Sequence, residues 1–364
     1  MKTTSQLLLL IAILISSSTL QAKIWRVNNQ SNFDNTNNFG ENYGGTPAYP
    51  VFKQINQAVA NANVKDGDTL HVESSIQPYI GTVITKRLVI IGGGYFVTDN
   101  SKTSNNVYDT RLGQATFSSG SEGSELIGFN MVSVNSTSDR NIYIRTNNIA
   151  IKRCRIEGGI GFNSSLVNIE ILQNIFVGTG QVLFNACCTS FVAPQDLVFN
   201  NNIVQKKLIW TNNIIESCKN NVFDGPPNEL NLDFNTNAFH NNILRAAGIT
   251  ANINEGTNAN VEYNTVSNSG VFQDTPENVL EPAMNNLFVD SESPDGRYQL
   301  KSDATNNVPG KDGAERGAFG GATVANRYNL SGLAAIPVIY SVSTTGVSEA
   351  GDELPVNVKA RTNY

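Results

Sequence analysis

Histidine is almost absent: the 364 residues include two, His71 and His240. A multi-histidine metal site is therefore excluded, and a Ser-His or Cys-His catalytic set has few places to form. Cysteine is scarce as well. Cys154, Cys187, Cys188 and Cys218 include no CxxC pair, so a zinc ribbon, a redox motif and a disulfide scaffold are not expected. They read as buried thiols, with a bridge from Cys187 or Cys188 to a neighbouring turn as the alternative. Charged residues make up 15% and the formal net charge is -6, so the chain lacks the basic face that displaces counterions from phosphates. Nucleic acid is not an expected partner, and neither a metal nor a cofactor is expected. No apolar run is long enough to span a bilayer. Hydrophobic residues at 40% still suffice for a sizeable core. What is plentiful is asparagine, at 50 residues. It is not among the residues that ordinarily dominate composition, so the fold uses it repeatedly.

Residues 1–22 read as a secretory signal peptide. Lys2 supplies the positive start, Leu7 to Ile15 the apolar core, and Ser16 to Ala22 a small and polar exit. Cleavage is expected after Ala22, and the product is expected to be secreted or held at the cell surface. No cysteine follows the apolar core, so a lipid anchor is not expected.

A six-residue pattern recurs through the middle of the chain: apolar, any, any, Asn, any, apolar. It places Asn130, Asn174, Asn202, Asn221, Asn242 and Asn264 in equivalent positions, with Cys154 in the same slot of one further copy. The mean spacing is about 22 residues. That period, with short alternating apolar runs and no helical pattern inside, predicts a parallel β-solenoid. Each turn supplies three short strands whose apolar side chains alternate inward. Asn suits a tight left-handed corner, and inward amides about 4.8 Å apart can hydrogen-bond up the stack.

These features resemble the secreted bacterial right-handed parallel β-helix proteins of the pectin-lyase-like fold. The resemblance covers most of residues 45–320. Phe52, Ile55, Val59 and Ala62 after Pro50 resemble the amphipathic helix that caps such proteins, and Asp66-Gly-Asp68, Tyr79 and Leu88-Val-Ile-Ile-Gly-Gly-Gly94 the elements that follow it. The segments Leu287–Asp290, Gly296–Leu300 and Lys311–Gly320 resemble their closing coils. The expected architecture is all-β: a signal peptide (1–22), a cap segment with a helix (23–65), a single-stranded right-handed parallel β-helix (66–320) and a C-terminal β tail (321–364).

In such a helix one strand of each turn lines the groove. By alignment these are 141–145, 159–163, 181–185, 207–211, 230–234, 248–253 and 270–273. Alternation sends Ile142, Ile144, Ile160, Phe162, Val182, Phe184, Leu208, Trp210, Leu232, Phe234, Ile249 and Val271 inward. The outward candidates for binding carbohydrate are Tyr143, Arg145, Asn163, Asn185, Thr211, Asn231, Asp233 and Asn252. Amides and hydroxyls of this kind exchange hydrogen bonds with sugar hydroxyls in both directions. Catalytic residues are not expected. A glycosidase needs two carboxylates within about 5–10 Å, whereas Asp233 stands alone on this face. Arg145 lies four coils away, about 19 Å at the strand spacing. Asp290, Glu292 and Asp295 read as a solvated acidic loop, and Asp224 and Glu216 as surface charges. Gly92-Gly-Gly94 reads as a corner with positive φ. Binding of extracellular polysaccharide is thus the leading expectation. A polysaccharide lyase or glycoside hydrolase and a structural or adhesive surface protein are the alternatives. The residues one place after each slot form an outward apolar stripe: Met131, Ile175, Ile203, Val222 and Ile243, with Arg155 and Thr265. The tail strands in 336–360 are expected to cover it. The sequence does not fix the oligomeric state.

Overall fold

The computed structural model describes residues 22–34, 36–37, 39–100, 108–132, 140–163, 165–178, 184–186, 194–255, 261–268, 270–272, 277–281, 283–289, 293–302, 309–344 and 355–362. Residues 1–21, where a signal peptide is expected, Val182, Cys187, Cys188, Asp290 and Glu292 lie outside them, as do the side chains of Asn185 and Thr211.

Almost every strand pairs in parallel, and the chain visits three sheets in turn. One circuit runs through Gly159–Phe162, Val167–Leu172 and Ile175–Phe176, and the next through Phe184–Ala186, Gln195–Asn200 and Ile203–Val204. Equivalent residues stack in register, as in Ile151↔Ile171↔Phe199 and Ile142↔Ile160↔Phe184. This all-β arrangement, with very few helices, is compatible with a parallel β-helix. The period of two explains the core. Ile142, Ile144, Ile160, Phe162, Phe184, Leu208, Trp210, Leu232, Phe234 and Ile249 are all buried in one continuous cluster. Val271 packs on its edge, but residues 270–272 form no strand. From Leu208 the first two strands of a circuit merge into the twelve-residue strand Leu208–Lys219, with a register shift between Trp210 and Ile214. The helix Ile55–Ala60 is shorter than the apolar spacing suggests. Ile55, Ala58 and Val59 are buried, Phe52 belongs to the strand Val51–Phe52, and Ala62 is exposed.

The asparagine ladder is continuous from Asn174 to Asn278. Each Nδ2 donates to the Oδ1 of the next rung: Asn174 to Asn202 at 3.1 Å, Asn202 to Asn221 at 3.2 Å, Asn221 to Asn242 at 3.0 Å, Asn242 to Asn264 at 3.2 Å and Asn264 to Asn278 at 3.2 Å. Asn130 is not a rung. It pairs in register with Arg155, one place beyond the slot, and its Nδ2 donates to Asp109. Phe129 fills the slot, so Met131 points inward, not outward. The left-handed conformation also falls elsewhere than expected. It belongs to the residue before Cys154 and before each rung from Asn174 to Asn264: Arg153, Gln173, Asn201, Asn220, Asn241 and Tyr263 have φ of 54–60°. The rung side chain is thereby free to point inward.

The apolar stripe is covered, and no described side chain of the tail strands takes part in the cover. Ile175, Ile203, Val222 and Ile243 are buried in a second cluster with Tyr95, Met284, Leu287, Phe288, Tyr298, Ala318 and Tyr328. Segments of 284–334 supply this cover, and the last parallel pairing among the described residues is at Val279–Leu280. Residues 311–333 run back along the left-handed corners as a strap. Asn241 Oδ1 accepts from the Lys311 amide at 2.7 Å, and Asn220 Nδ2 donates to the Glu315 carbonyl at 3.0 Å. Asn201 donates to Ala318 and Gly320, Gln173 to Ala325, and Arg153 to Leu333. Five of the six corners thus contribute one side chain to hold a foreign backbone, as buried peptide groups require. At the far end only Gly94 of the glycine triplet has positive φ, and a Cβ there would meet the Ser331 carbonyl at 2.5 Å. The tail strands Pro337–Thr344 and Val356–Thr362 form an antiparallel ribbon, on which Val342, Val356 and Val358 are more than half exposed.

Candidate functional site

The outward face of the groove strands is split in character. On Arg140–Ile144, Tyr143 faces outward, with the guanidinium of Arg140 5.8 Å and that of Arg145 5.6 Å from its ring centroid. Gly161 follows Tyr143 in register, and Asn163 stands half-buried at the end of its strand. On the later strands Asp233 pairs in register with Asn252, whose Nδ2 donates to Asp233 Oδ1 at 2.9 Å. Asn231 does not belong to this face. The register shifts at that residue, so its side chain turns in, is 1% exposed and donates to the carbonyls of Pro226 and Glu229. Asn141 does the same on its own strand, donating to Gly113 and accepting from the Gly158 amide. In both places a one-residue bulge reverses the alternation from which outward residues are read. The outward set among the described side chains is therefore Tyr143, Arg145, Asn163, Asp233 and Asn252.

A cleft of about 860 Å³ opens where the strands Leu230–Thr236 and Thr250–Glu255 begin. Asp224, Asn228, Arg245, Ser267, Asn285 and Arg297 supply its polar lining. The Arg245 guanidinium lies 4.8 Å from the Phe288 ring centroid and 5.1 Å from that of Tyr298. It donates to Asp224 Oδ2 and to Asn285 Oδ1, each at 3.1 Å. The Tyr298 hydroxyl donates to the same Asp224 oxygen at 2.8 Å and accepts from Gln205 Nε2 at 2.9 Å. Burial, and then the Asp224 charge, push the Tyr298 phenol above its usual range. Asp224 is therefore a fixed acceptor inside a network, not a loose surface charge. It is the one carboxylate among the described residues of the lining. The cleft can hold a hydroxyl-rich molecule through amides and a pre-oriented guanidinium. Among the described residues of its lining there is no carboxylate pair of the kind that glycoside hydrolysis uses.

Asp295 is the second departure from the expected solvated acids, being fully buried. It accepts from the Ser331 amide at 2.6 Å, from the Tyr328 hydroxyl at 3.2 Å and from the Ser293 hydroxyl. Tyr328 and Tyr95 share a 2.5 Å hydrogen bond. Burial raises the Asp295 carboxyl above the usual range despite these donors. Cys154 and Cys218 are free thiols in the core, and burial pushes the Cys154 thiol up to about 12. Among the described residues no three His, Cys, Asp or Glu side chains cluster as metal ligands, and no helix is long and apolar enough to cross a membrane.

The cleft was not read from the sequence, but a signal for it exists. Gln205, Asp224, Arg245 and Ser267 each lie three residues after a rung of the ladder, so a polar row of fixed offset faces one corner. Comparison of the chain with protein-family models, with curated proteins and with solved structures gave no match.

Proposed function

We propose that this chain is an exported right-handed parallel β-helix of the pectin-lyase-like fold that binds extracellular polysaccharide without cleaving it. The observation that carries this reading is the strip running from the cleft to the Asp233–Asn252 pair. Asn228 and Asp233 lie five residues apart, about 16 Å along an extended chain. The strip offers amides, a hydroxyl and one oriented guanidinium, which suits a ligand of many hydroxyl groups. The separation of duties also supports binding over turnover: Asp224 is engaged by Arg245 and Tyr298, and Asp233 by Asn252. Lys2, the apolar core Leu7–Ile15 and Ala22 support export.

A glycan array followed by calorimetry tests the proposal. Asp233→Ala and Asn252→Ala should each weaken binding about five- to tenfold, the worth of one or two hydrogen bonds. Neither should move the unfolding midpoint. Unchanged affinity in both variants rejects this face. Reducing ends or unsaturated products released from the bound polysaccharide, with or without calcium, would replace the binding role by that of a hydrolase or lyase.

A further inference from the structure

Lys23 opens the described part of the first strand, and its backbone nitrogen is aimed at a buried acid. That nitrogen donates to Asp68 Oδ1 at 2.8 Å. The other oxygen, Oδ2, accepts from the Trp25 indole at 2.7 Å and from the Lys65 amide at 2.9 Å. Asp68 itself is 3% exposed and directly precedes the strand Thr69–Val72, to which the first strand pairs from Ile24↔Thr69 onward. Burial works against its charge, but the N–H groups of Lys23, Lys65 and Trp25 and the Lys23 charge outweigh it and hold the carboxyl below its ordinary value. A buried carboxylate is expected to have a cationic partner, yet Asp68 belongs to none of the ion pairs formed among the described residues. Three of the surrounding charged side chains have other partners. The Lys23 ammonium stands over the Trp25 and Tyr49 rings, Lys86 donates to the carbonyls of Asn61 and Val64, and Asp66 accepts from the Arg87 amide.

One more cation is available, and it has to be made. Ala22 and Lys23 are both exposed, and Ala22 is the residue after which the signal peptide is expected to end. We infer that an export-linked peptidase cleaves the Ala22–Lys23 bond and that the new α-ammonium of Lys23 pairs with buried Asp68, locking the first strand in place. In this hydrolysis the water oxygen adds to the Ala22 carbonyl carbon, which leaves as a carboxylate. The Lys23 nitrogen departs as an amine and takes up a proton, and nothing is oxidised or reduced. The nitrogen already lies at ion-pair distance, so cleavage changes a neutral donor into a charged one without moving the chain. Charge-assisted hydrogen bonds are roughly twice as strong as neutral ones. The inference rests on the export reading for its cleavage step alone.

The test compares three proteins purified without export: a chain starting at Lys23, the same chain with Nα acetylated, and one that retains Met-Ala before Lys23. At pH 7 the first should have at least a tenfold larger folded-to-unfolded ratio, about 1.4 kcal/mol. Its α-amine pKa in the folded protein should lie above the usual 7.7–8.0. The advantage should be full below that range and vanish as pH rises through the folded value. Asp68→Asn should abolish it, and the acetylated chain gives the same answer if that variant fails to fold. Equal stability of the three proteins overturns the pairing. Intact mass of the protein secreted by an exporting host separately tests the cleavage. A first residue other than Lys23 overturns the site, and a chain that is not exported at all removes the export reading while the pairing stands on the purified proteins.

Discussion

Replacing Asn221 by Ala tests the ladder where it is most complete. The side chain is fully buried. Its Nδ2 donates to the Phe199 carbonyl and to Asn242 Oδ1, each at 3.0 Å, and its Oδ1 accepts from the Asn202 amide at 2.9 Å and from Asn202 Nδ2 at 3.2 Å. Not all partners are left equally exposed by the truncation. Asn202 Nδ2 keeps the Ile171 carbonyl, and Asn242 Oδ1 keeps the Asn221 amide. The Asn202 amide loses its acceptor, and a buried donor without a partner costs about 1–3 kcal/mol. The weakened Phe199 carbonyl and the lost side-chain bonds bring the expected cost to about 2–4 kcal/mol, a large part of a typical domain's 5–15 kcal/mol. Urea unfolding should show a lower midpoint at unchanged slope. Asn221→Asp keeps the shape but places a carboxylate oxygen against Asn242 Oδ1 and the Phe199 carbonyl, so it should be worse than Ala at pH 7. Its folded pKa is raised, so that penalty should be relieved as pH falls through that value. A cost below about 0.5 kcal/mol for Ala, or an Asp variant no worse than Ala, would refute this account.

Two further outcomes follow from the strap. Deleting residues 336–364 should leave stability and oligomeric state unchanged, since no described side chain of the ribbon belongs to the second cluster. Stopping the chain at 310 should instead cost several kcal/mol and raise dye binding, because Ile203, Val222 and Ile243 each gain about 1.5–3 kcal/mol from burial. Asp295→Asn tests the buried clasp. The Asp295 carboxyl is raised on folding, so its contribution is fully present below about pH 3.9 and is lost as pH rises through the folded value. Stability of the permanently neutral variant relative to the parent should therefore increase with pH over that window, and a pH-independent difference measured by urea titration would reject the assignment.

What could be read from the sequence, and what could not, divides along physical lines. Five rungs, Asn174 to Asn264, were legible because Asn and two apolar neighbours recur at a fixed offset that a stacked strand imposes, and the Cys154 slot because its apolar neighbours keep that offset. Asn278 was missed because Thr275 stands where the pattern has an apolar residue. Asn130 misled because Phe129 and Met131 flank it: the template fits equally well one residue late, and only the pairing with Arg155 decides. The inward residues of the groove strands were legible by alternation, whereas Asn231 was not, since a bulge leaves no mark on composition. The strap was invisible for a different reason. Its acceptors are backbone carbonyls at Glu315, Ala318, Gly320, Ala325 and Leu333, which carry no side-chain signal. The cleft was overlooked because Asp224 and Arg245 sit on separate turns and meet through stacking, not through sequence proximity.

The point where the ladder stops is itself informative. Each rung donates from Nδ2 to the carbonyl three residues before the rung below it: Asn174 to Ile151, Asn202 to Ile171, Asn221 to Phe199, Asn242 to Cys218 and Asn264 to Phe239. Cys154 occupies the next slot, and its Sγ lies 3.8 Å from the Leu126 carbonyl, the position this rule assigns. Its amide already donates to Asn174 Oδ1 at 2.9 Å. An asparagine at 154 would find the Leu126 carbonyl and Asn174 Oδ1 for its two N–H groups, and the Phe129 amide, which already faces the thiol, for its oxygen. Cys154→Asn should therefore extend the ladder by one rung and stabilise the chain by about 0.5–1.5 kcal/mol. The matched control is Cys218→Asn. Cys218 is equally buried but lies three residues before a rung, on the strand itself. An amide there has no stack to join and should cost about 1–3 kcal/mol. Urea unfolding of the two variants decides the matter: a Cys154→Asn chain as damaged as Cys218→Asn would mean that the slot is defined by packing volume and not by its hydrogen bonds.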